Sequence, residues 1–366
     1  METENRYLNS QIEEYLDNLI KSGQLKPGDR LPSERKIALR FKTSISPVRQ
    51  ATRMFINKGI LVNEPRRGIF VKRETISRTT TNRIGLLFCH SRSSLLKSPY
   101  YGPIIHGLDE AASQQDKSVV WQSLLDTDRK ADTGNIYDTL DIVDGLIVIG
   151  LLHRTYQDIE ETLTGLDKPV VVLDHEAVSD ELNSVVFDSR ANTAKAIDLL
   201  VSLGHTRIAY AGRGSRVDPQ VSAPGNMWLF TYKNKMEAHG IPVDTNLILN
   251  GLFYDDMEPV RKVLSGTDRP TALFCNGALL VPAIIDTARE MGLRVPEDLS
   301  VVTIDETPDT ESLGVTTVKV PLEKMGQEGA RRLLELIDEK QAGKNEAKRI
   351  VLPGNVVERS SHAALH

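Results

Sequence analysis

The stretch from Ser33 to Val71 allows few folds. It reads SERKIALRFKTSISPVRQATRMFINKGILVNEPRRGIFV. Ser33 is a natural helix N-cap, and Ile37, Ala38 and Phe41 behind it share one helical face. Ser46 reads as a second cap, with Pro47 at the first helical position, where a missing N–H costs nothing. Val48, Ala51 and Phe55 make that helix's inner stripe, while Arg49, Gln50 and Arg53 look outward. Asn57-Lys58-Gly59 stops it. A strand over Ile60–Asn63, a turn at Glu64–Gly68 and a return strand over Ile69–Val71 follow. Upstream, Leu8, Ile12, Tyr15, Leu16 and Leu19 recur at helical spacing over about residues 7–21. Three helices and a hairpin in this order predict a winged helix-turn-helix.

Such an arrangement suits DNA. A helix fits the major groove, and an exposed arginine at its start can bond guanine O6 and N7 together. Gly68 lets the wing backbone approach a phosphate or enter the minor groove, with Arg67 beside it.

Residues 6–73 resemble the GntR-type winged-helix domain through GQLKPGDRLPSERKIALRF, SISPVRQATRMFINKGIL and RGIFV. The resemblance implies DNA contacts at Arg35, Arg49 and Gly68, and phosphate contacts or caps at Ser33, Thr43, Ser44 and Ser46. The usual Gly-x-Gly of the wing is Arg66-Arg67-Gly68 here, which leaves one glycine where the pattern has two.

Charge follows the same division. Residues 1–83 carry 17 Lys/Arg against 9 Asp/Glu, a net +8, and the other 283 carry 28 against 41, a net −13, giving the chain's −5. A basic head on an acidic body confines nucleic-acid binding to the head. The polar run RETISRTTTN has no apolar period and contains a linker over residues 74–82. Domains are therefore expected over 1–73 and 83–366.

Beyond Arg83, short apolar runs alternate with amphipathic stretches. Strands are expected at Ile84–Phe88, Val119–Leu124, Gly145–Ile149, Val170–Leu173, Val185–Phe187, Arg207–Tyr210, Leu247–Asn250, Ala272–Cys275, Leu299–Ile304 and Thr316–Val318. Helices such as Ile104–Gln115, Asn192–Leu203, Leu229–His239, Pro282–Met291 and Leu322–Lys340 separate them. This alternation means parallel sheets covered on both faces, and some ten strands fit two doubly wound lobes better than one sheet. Ligands in such folds bind outside the carboxyl ends of the strands.

Cys89 and Cys275, the only cysteines, sit in or just after apolar runs and read as buried thiols. The eight histidines are scattered, with no metal-ligand spacing. Gly212-Arg213-Gly214 lacks the third glycine of a dinucleotide loop, and no nucleophile elbow or Walker sequence appears. Neither cofactor, metal nor catalysis is expected. With neither a signal-peptide pattern nor an apolar run near the ~18 residues a membrane span needs, a cytosolic protein without membrane contact is expected.

The body resembles the LacI/GalR-type effector domain, related in fold to periplasmic sugar-binding proteins. The likeness runs through RIGLLF, SPYYGPIIHGLDEAA, VDGLIVIG, KPVVVLDH, NSVVFDSRANTAKAIDLLVSLGHTRIAYAG, RPTALFCNGALL, GLRVPEDLSVVTIDE and GVTTVKVPLEKMGQEGARRLLELI. Head and body together resemble AraR-type regulators, repressors released from DNA by a sugar. The resemblance implies effector contacts at Tyr100, Tyr101, Asp174, Phe253 and Asp305. The arginine that grips the ligand in that family falls on Trp228, and its Asn-Asp pair falls on Gly277-Ala278, with Asn276 one place early. Trp228 and Asn276 are the substitutes expected in the pocket, which should be more aromatic and apolar than usual. The hinge helix that joins head to body in the LacI family has no counterpart in residues 73–82.

The expectation is an α/β protein: an N-terminal winged helix-turn-helix and a two-lobed periplasmic-binding-protein-like body. It should regulate transcription as a homodimer on palindromic double-stranded operator DNA, under a sugar-like small-molecule effector. A solute-binding protein or metabolic enzyme with a basic head, or a regulator with a degenerate pocket, is the alternative.

Overall fold

A computed structural model of the chain describes residues 2–21, 24–26, 28–57, 59–64, 68–72, 81–89, 91–124, 133–151, 153–175, 179–213, 227–341 and 347–365. It divides into two compact units, Met1–Thr80 and Thr81–His366.

The first unit contains α1 (Glu2–Lys21), α2 (Glu34–Arg40), α3 (Ile45–Asn57), β1 (Leu61–Glu64) and β2 (Gly68–Val71). The two strands pair antiparallel, Leu61 opposite Val71 and Glu64 opposite Gly68. Ile12, Leu16, Ile37, Val48, Phe55 and Leu61 form a shared core. Ser33 caps α2, its Oγ accepting from the Lys36 N–H at 3.4 Å. Ser46 is not the cap of α3, which already begins at Ile45 and follows Ser44. Pro47 still fits, because N–H groups of a first helical turn have no intrahelical acceptor. Past the helix end, Gly59 takes φ +67° and donates to the Ile56 carbonyl at 2.8 Å.

The second unit opens with β3 (Arg83–Phe88), α4 (Arg92–Lys97), α5 (Tyr101–Ser113), β4 (Ser118–Ser123), α6 (Thr133–Leu140), β5 (Leu146–Ile149), α7 (His153–Thr164), β6 (Val170–Leu173) and β7 (Asn183–Phe187). Next come α8 (Ser189–Ser202), β8 (Ile208–Arg213), α9 (Met227–Ala238), β9 (Ile248–Leu252), α10 (Glu258–Leu264), β10 (Ala272–Cys275), α11 (Val281–Glu290), β11 (Ser300–Ile304), α12 (Pro308–Ser312) and β12 (Thr316–Lys319). The unit closes with α13 (Leu322–Gln341), β13 (Arg349–Leu352) and β14 (Asn355–Val357).

These strands build two six-stranded sheets, ordered β13-β7-β6-β5-β3-β4 and β14-β12-β11-β10-β8-β9. All pairings are parallel except β14 on β12. The sequence reading missed β13 and β14. Pro353-Gly354 divides them into runs too short to carry a period, and they join different sheets. Among the described residues the chain therefore passes between lobes three times: at Asp188, at Val320-Pro321 and at Pro353-Gly354.

Side chains bind two of these crossings together. Asp188 caps α8 by accepting from the Ala191 N–H at 2.8 Å. One turn on, Asn192 Oδ1 accepts from the Gly354 N–H at 3.0 Å, and Lys195 Nζ donates to the Gly354 carbonyl at 2.6 Å. In the amino-terminal lobe α13 lies against α5 with almost no side chain between them. A Cβ on Gly326 would overlap the Ile104 carbonyl oxygen, and one on Gly107 would overlap that of Glu323.

Candidate nucleic-acid interface and interlobe site

In the first unit Arg49, Gln50 and Arg53 are exposed on α3, and Arg35 is exposed on α2. Ser33, Ser44 and Ser46 are also exposed, while Thr43 is half-buried. Arg67 lies outside the described residues. Gly68 opens β2 with φ +118°, a conformation that favours glycine. A Cβ there would fall 2.8 Å from Arg30 Nε, so the Arg30 guanidinium lies directly over the wing glycine. Arg30 bridges backbone-to-backbone with Phe70, across 40 positions of sequence. Sequence reading passed over it because nothing local marks that proximity. Arg40, in contrast, sits 4.5 Å from the centre of the Tyr15 ring.

Arg49 is not a loose surface cation. Its Nε donates to Glu34 Oε2 at 3.0 Å, joining α3 to the first turn of α2. Glu34 Oε1 lies 3.4 Å from the hydroxyl of the buried Thr52, which also donates to the Val48 carbonyl at 3.0 Å.

Two of the candidate effector residues stand at the carboxyl ends of strands, one in each lobe. Asp174 follows β6 with φ +59°, and Asp305 follows β11 with φ +70°. Each lobe thus presents a strand-terminal aspartate in left-handed backbone. Such strain persists only where surrounding structure enforces it, and it clusters at binding sites. The Tyr100 hydroxyl donates to Asp174 Oδ1 at 2.8 Å, and the Tyr100 and Tyr101 rings meet edge-on at 5.2 Å.

Burial pushes the Tyr100 phenol well above its ordinary value, and the carboxylates of Asp174 and Asp305 add to the rise. Tyr101 is raised too, first by burial and then by Asp174, against a lowering pull from Arg213. Asp305 is pushed up to about 7 by burial, with Arg213 opposing. These cross-influences place the Asp305 charge of one lobe within electrostatic range of the tyrosines of the other.

Asn276, at the end of β10, has a bracing role in this geometry. Its Oδ1 accepts from the Arg213 N–H at 2.9 Å, and its Nδ2 donates to the Tyr210 hydroxyl at 2.9 Å. Gly277 adjoins the Arg213 stem: a Cβ there would stand 3.5 Å from Arg213 Cβ, an ordinary contact. The Arg213 charge, which acts on both Tyr101 and Asp305, is a feature of this region that sequence reading missed. Its isolated glycines were weighed only as a phosphate loop. Trp228 lies in the first turn of α9, half-buried against the main core, and Phe253 is half-buried just after β9. Cys275 is fully buried, its thiol pushed up to about 12 by burial, and Cys89 is a buried thiol as well.

His205 belongs to neither site. Its Nε2 faces the Ala363 carbonyl at 3.0 Å and its Nδ1 the Thr271 hydroxyl at 2.9 Å. A carbonyl only accepts, so Nε2 carries the hydrogen and Nδ1 accepts from Thr271. Burial lowers its pKa. Among the described residues no His/Cys/Asp/Glu group could hold a metal, and no helix is long and apolar enough to cross a membrane.

Residues 8–71 match the family described as bacterial regulatory proteins, gntR family, and residues 197–362 match the periplasmic binding protein-like domain. The chain is 30% identical to the HTH-type transcriptional regulator DegA of Bacillus subtilis (strain 168), over 74% of this chain and 79% of that protein. It is 26% identical to the arabinose metabolism transcriptional repressor of Geobacillus stearothermophilus, over 91% of this chain and 92% of that one. Among solved structures, the transcriptional regulator CelR–cellobiose complex superposes with a TM-score of 0.66 at 24% identity, over 87% of this chain and 91% of that one.

Proposed function

Since the chain belongs to the LacI/GalR-like transcriptional regulators that carry a GntR-type helix-turn-helix head, we propose that it represses transcription and is released from its operator by a small sugar-like effector. The observation that carries the effector half is the pair of left-handed aspartates, one per lobe, around Tyr100. Two carboxylates accept from ligand hydroxyls, and Tyr101, Trp228 and Phe253 give faces on which a sugar ring stacks. Arg213 supplies the guanidinium, in place of the arginine whose position Trp228 takes. Asn276 acts chiefly as the brace that aims Arg213. The named relatives support the sugar class, one being an arabinose-metabolism repressor and one solved with cellobiose.

On this reading residues 1–73 are the reader, 74–82 the tether and 83–366 the receptor and dimerisation domain. Two copies bind a palindrome whose half-sites lie one helical turn (~34 Å) or a multiple apart. Arg35, Arg49 and Arg53 face bases or phosphates, Gly68 and Arg67 bring the wing close to the backbone, and Ser33, Thr43, Ser44 and Ser46 take phosphates. Effector closes the lobes about the three crossings and changes the spacing of the heads. Driving occupancy from 99:1 to 1:99 takes ~5.5 kcal/mol of differential effector affinity.

Regulation rather than catalysis is what the relatives are named for. The test is a thermal-shift screen of neutral mono- and disaccharides on the full chain, followed by titration of duplex DNA with and without each hit. A stabilising sugar should weaken specific DNA binding, and affinity should fall steeply with salt. A flat salt response, or a hit that leaves DNA affinity unchanged, refutes the proposal.

A further inference from the structure

We infer that Glu34 is a positioning residue for base reading: it holds the Arg49 guanidinium in the orientation in which only its two terminal nitrogens are offered to DNA. The inference rests on Arg49 being the base reader of α3.

The geometry is specific. Glu34 Oε2 takes the Arg49 Nε hydrogen at 3.0 Å, and among the described residues no other group engages that guanidinium. A guanidinium is planar and presents its donors as a rigid fork. Once Nε is committed, side-on pairing through Nε is closed, and the end-on pair Nη1/Nη2 remains for guanine O6 and N7. Glu34 is itself held. Ser33 caps the helix it begins, its carboxylate sits in the first turn where the helix dipole favours negative charge, and Thr52 approaches Oε1.

Stability does not account for the pair. The Arg49 side chain is 68% exposed and that of Glu34 27%, and ion pairs this open contribute little. Nor does raw DNA affinity, because a carboxylate beside the reading helix repels phosphates. What it contributes is selectivity: it weakens attachment to any duplex while fixing the fork that distinguishes one base pair.

The experiment uses the full chain, an operator selected in vitro from random duplexes, a panel of single-base-pair variants of that operator, and a scrambled duplex. Binding is measured by anisotropy for the parent, Glu34→Gln, Arg49→Ala and the double variant. Glu34→Gln keeps the size of the side chain, and its melting curve checks that the head is folded; Glu34→Asp, which keeps the charge but shortens the reach, serves as a second probe. We expect Glu34→Gln to reduce discrimination on the order of tenfold at the one base pair that Arg49→Ala renders silent. Binding to the scrambled duplex should be unchanged or tighter, and the double variant should discriminate no worse than Arg49→Ala alone. A uniform loss on every duplex, or an equal further loss in the Arg49→Ala background, overturns the inference. If Arg49→Ala flattens the panel and neither Glu34 variant does, the positioning role alone falls. If Arg49→Ala leaves the panel's ranking intact, base reading by Arg49 falls and the positioning role with it.

Discussion

Replacing Gly326 by alanine tests the contact between α5 and α13 most directly. Alanine within a helix is favoured over glycine by about 1 kcal/mol, so propensity alone predicts a gain. The packing predicts a loss. The new methyl would overlap the Ile104 carbonyl oxygen and stand 2.7 Å from the Leu108 nitrogen and 2.9 Å from the Ile104 carbonyl carbon. All three are backbone atoms of α5, so no side chain can swing clear. Restoring ordinary contact moves these facing atoms apart by roughly 1.5 Å, and a gap of even ~1 Å forfeits up to about half of the attraction between facing atoms. Buried Ile104, Leu108, Met325 and Leu333 of the same core feel that separation. Overpacking and lost contact together outweigh propensity, for a net destabilisation of about 2–4 kcal/mol. Urea unfolding of the full chain, followed by fluorescence, reports on the body, because both tryptophans, Trp121 and Trp228, lie in it. Two controls bracket the result. At Gly329 a Cβ meets Leu173 Cδ2 at 2.6 Å, a side-chain tip that can move, and at Gly240 it meets nothing within 4 Å but sits at φ +71°. Both alanine variants should lose less. A Gly326→Ala protein as stable as its parent would refute the argument that backbone contact fixes these helices.

Asp305→Asn should change the pH response of the effector-free body. Burial raises the folded-state carboxyl to about 7 from an ordinary 3.8, so the folded state prefers the neutral acid. That preference is full below about pH 4 and is lost as pH rises through 7, on the order of 1.4 kcal/mol per pH unit. Asparagine tolerates left-handed backbone, so the variant should melt higher at pH 8 and lack this slope; an unchanged slope between pH 5 and 8 would count against it. His205 acts with the opposite sign: its folded value is lowered, so stability falls as pH drops below its ordinary 6.5, and His205→Gln should flatten that acid limb in melting curves. Gly354→Ala would put a Cβ 2.7 Å from Asn192 Oδ1 at an interlobe crossing. It should cost about 1–2 kcal/mol and shift the effector concentration that releases DNA, while effector-free DNA affinity stays as it was; an unshifted release curve would show that this crossing does not take part in the response.

What the residues settle without coordinates is whatever depends on neighbours in sequence. Caps, periods of 3.6 and 2, and glycine stops gave α2, α3 and the wing. The same alternation gave ten strands of the body, while Asp174 and Asp305 at two strand ends were singled out through the resemblance to the LacI/GalR-type effector domain. The one misplaced cap, Ser46, lay a single residue inside a helix that proline did not delimit, because a first turn tolerates proline anywhere. What only the tertiary structure decided is every feature that joins distant residues. Glu34 reaches Arg49 across a helix-helix corner, Arg30 covers Gly68, and Asn276 ties the Arg213 backbone to the Tyr210 hydroxyl. The chain crosses between lobes at Asp188, Val320-Pro321 and Pro353-Gly354 because β13 and β14 enter different sheets. Local pattern reports which face of a segment is apolar, and it holds no information on which other segment that face will meet; that choice is made by packing of the whole chain.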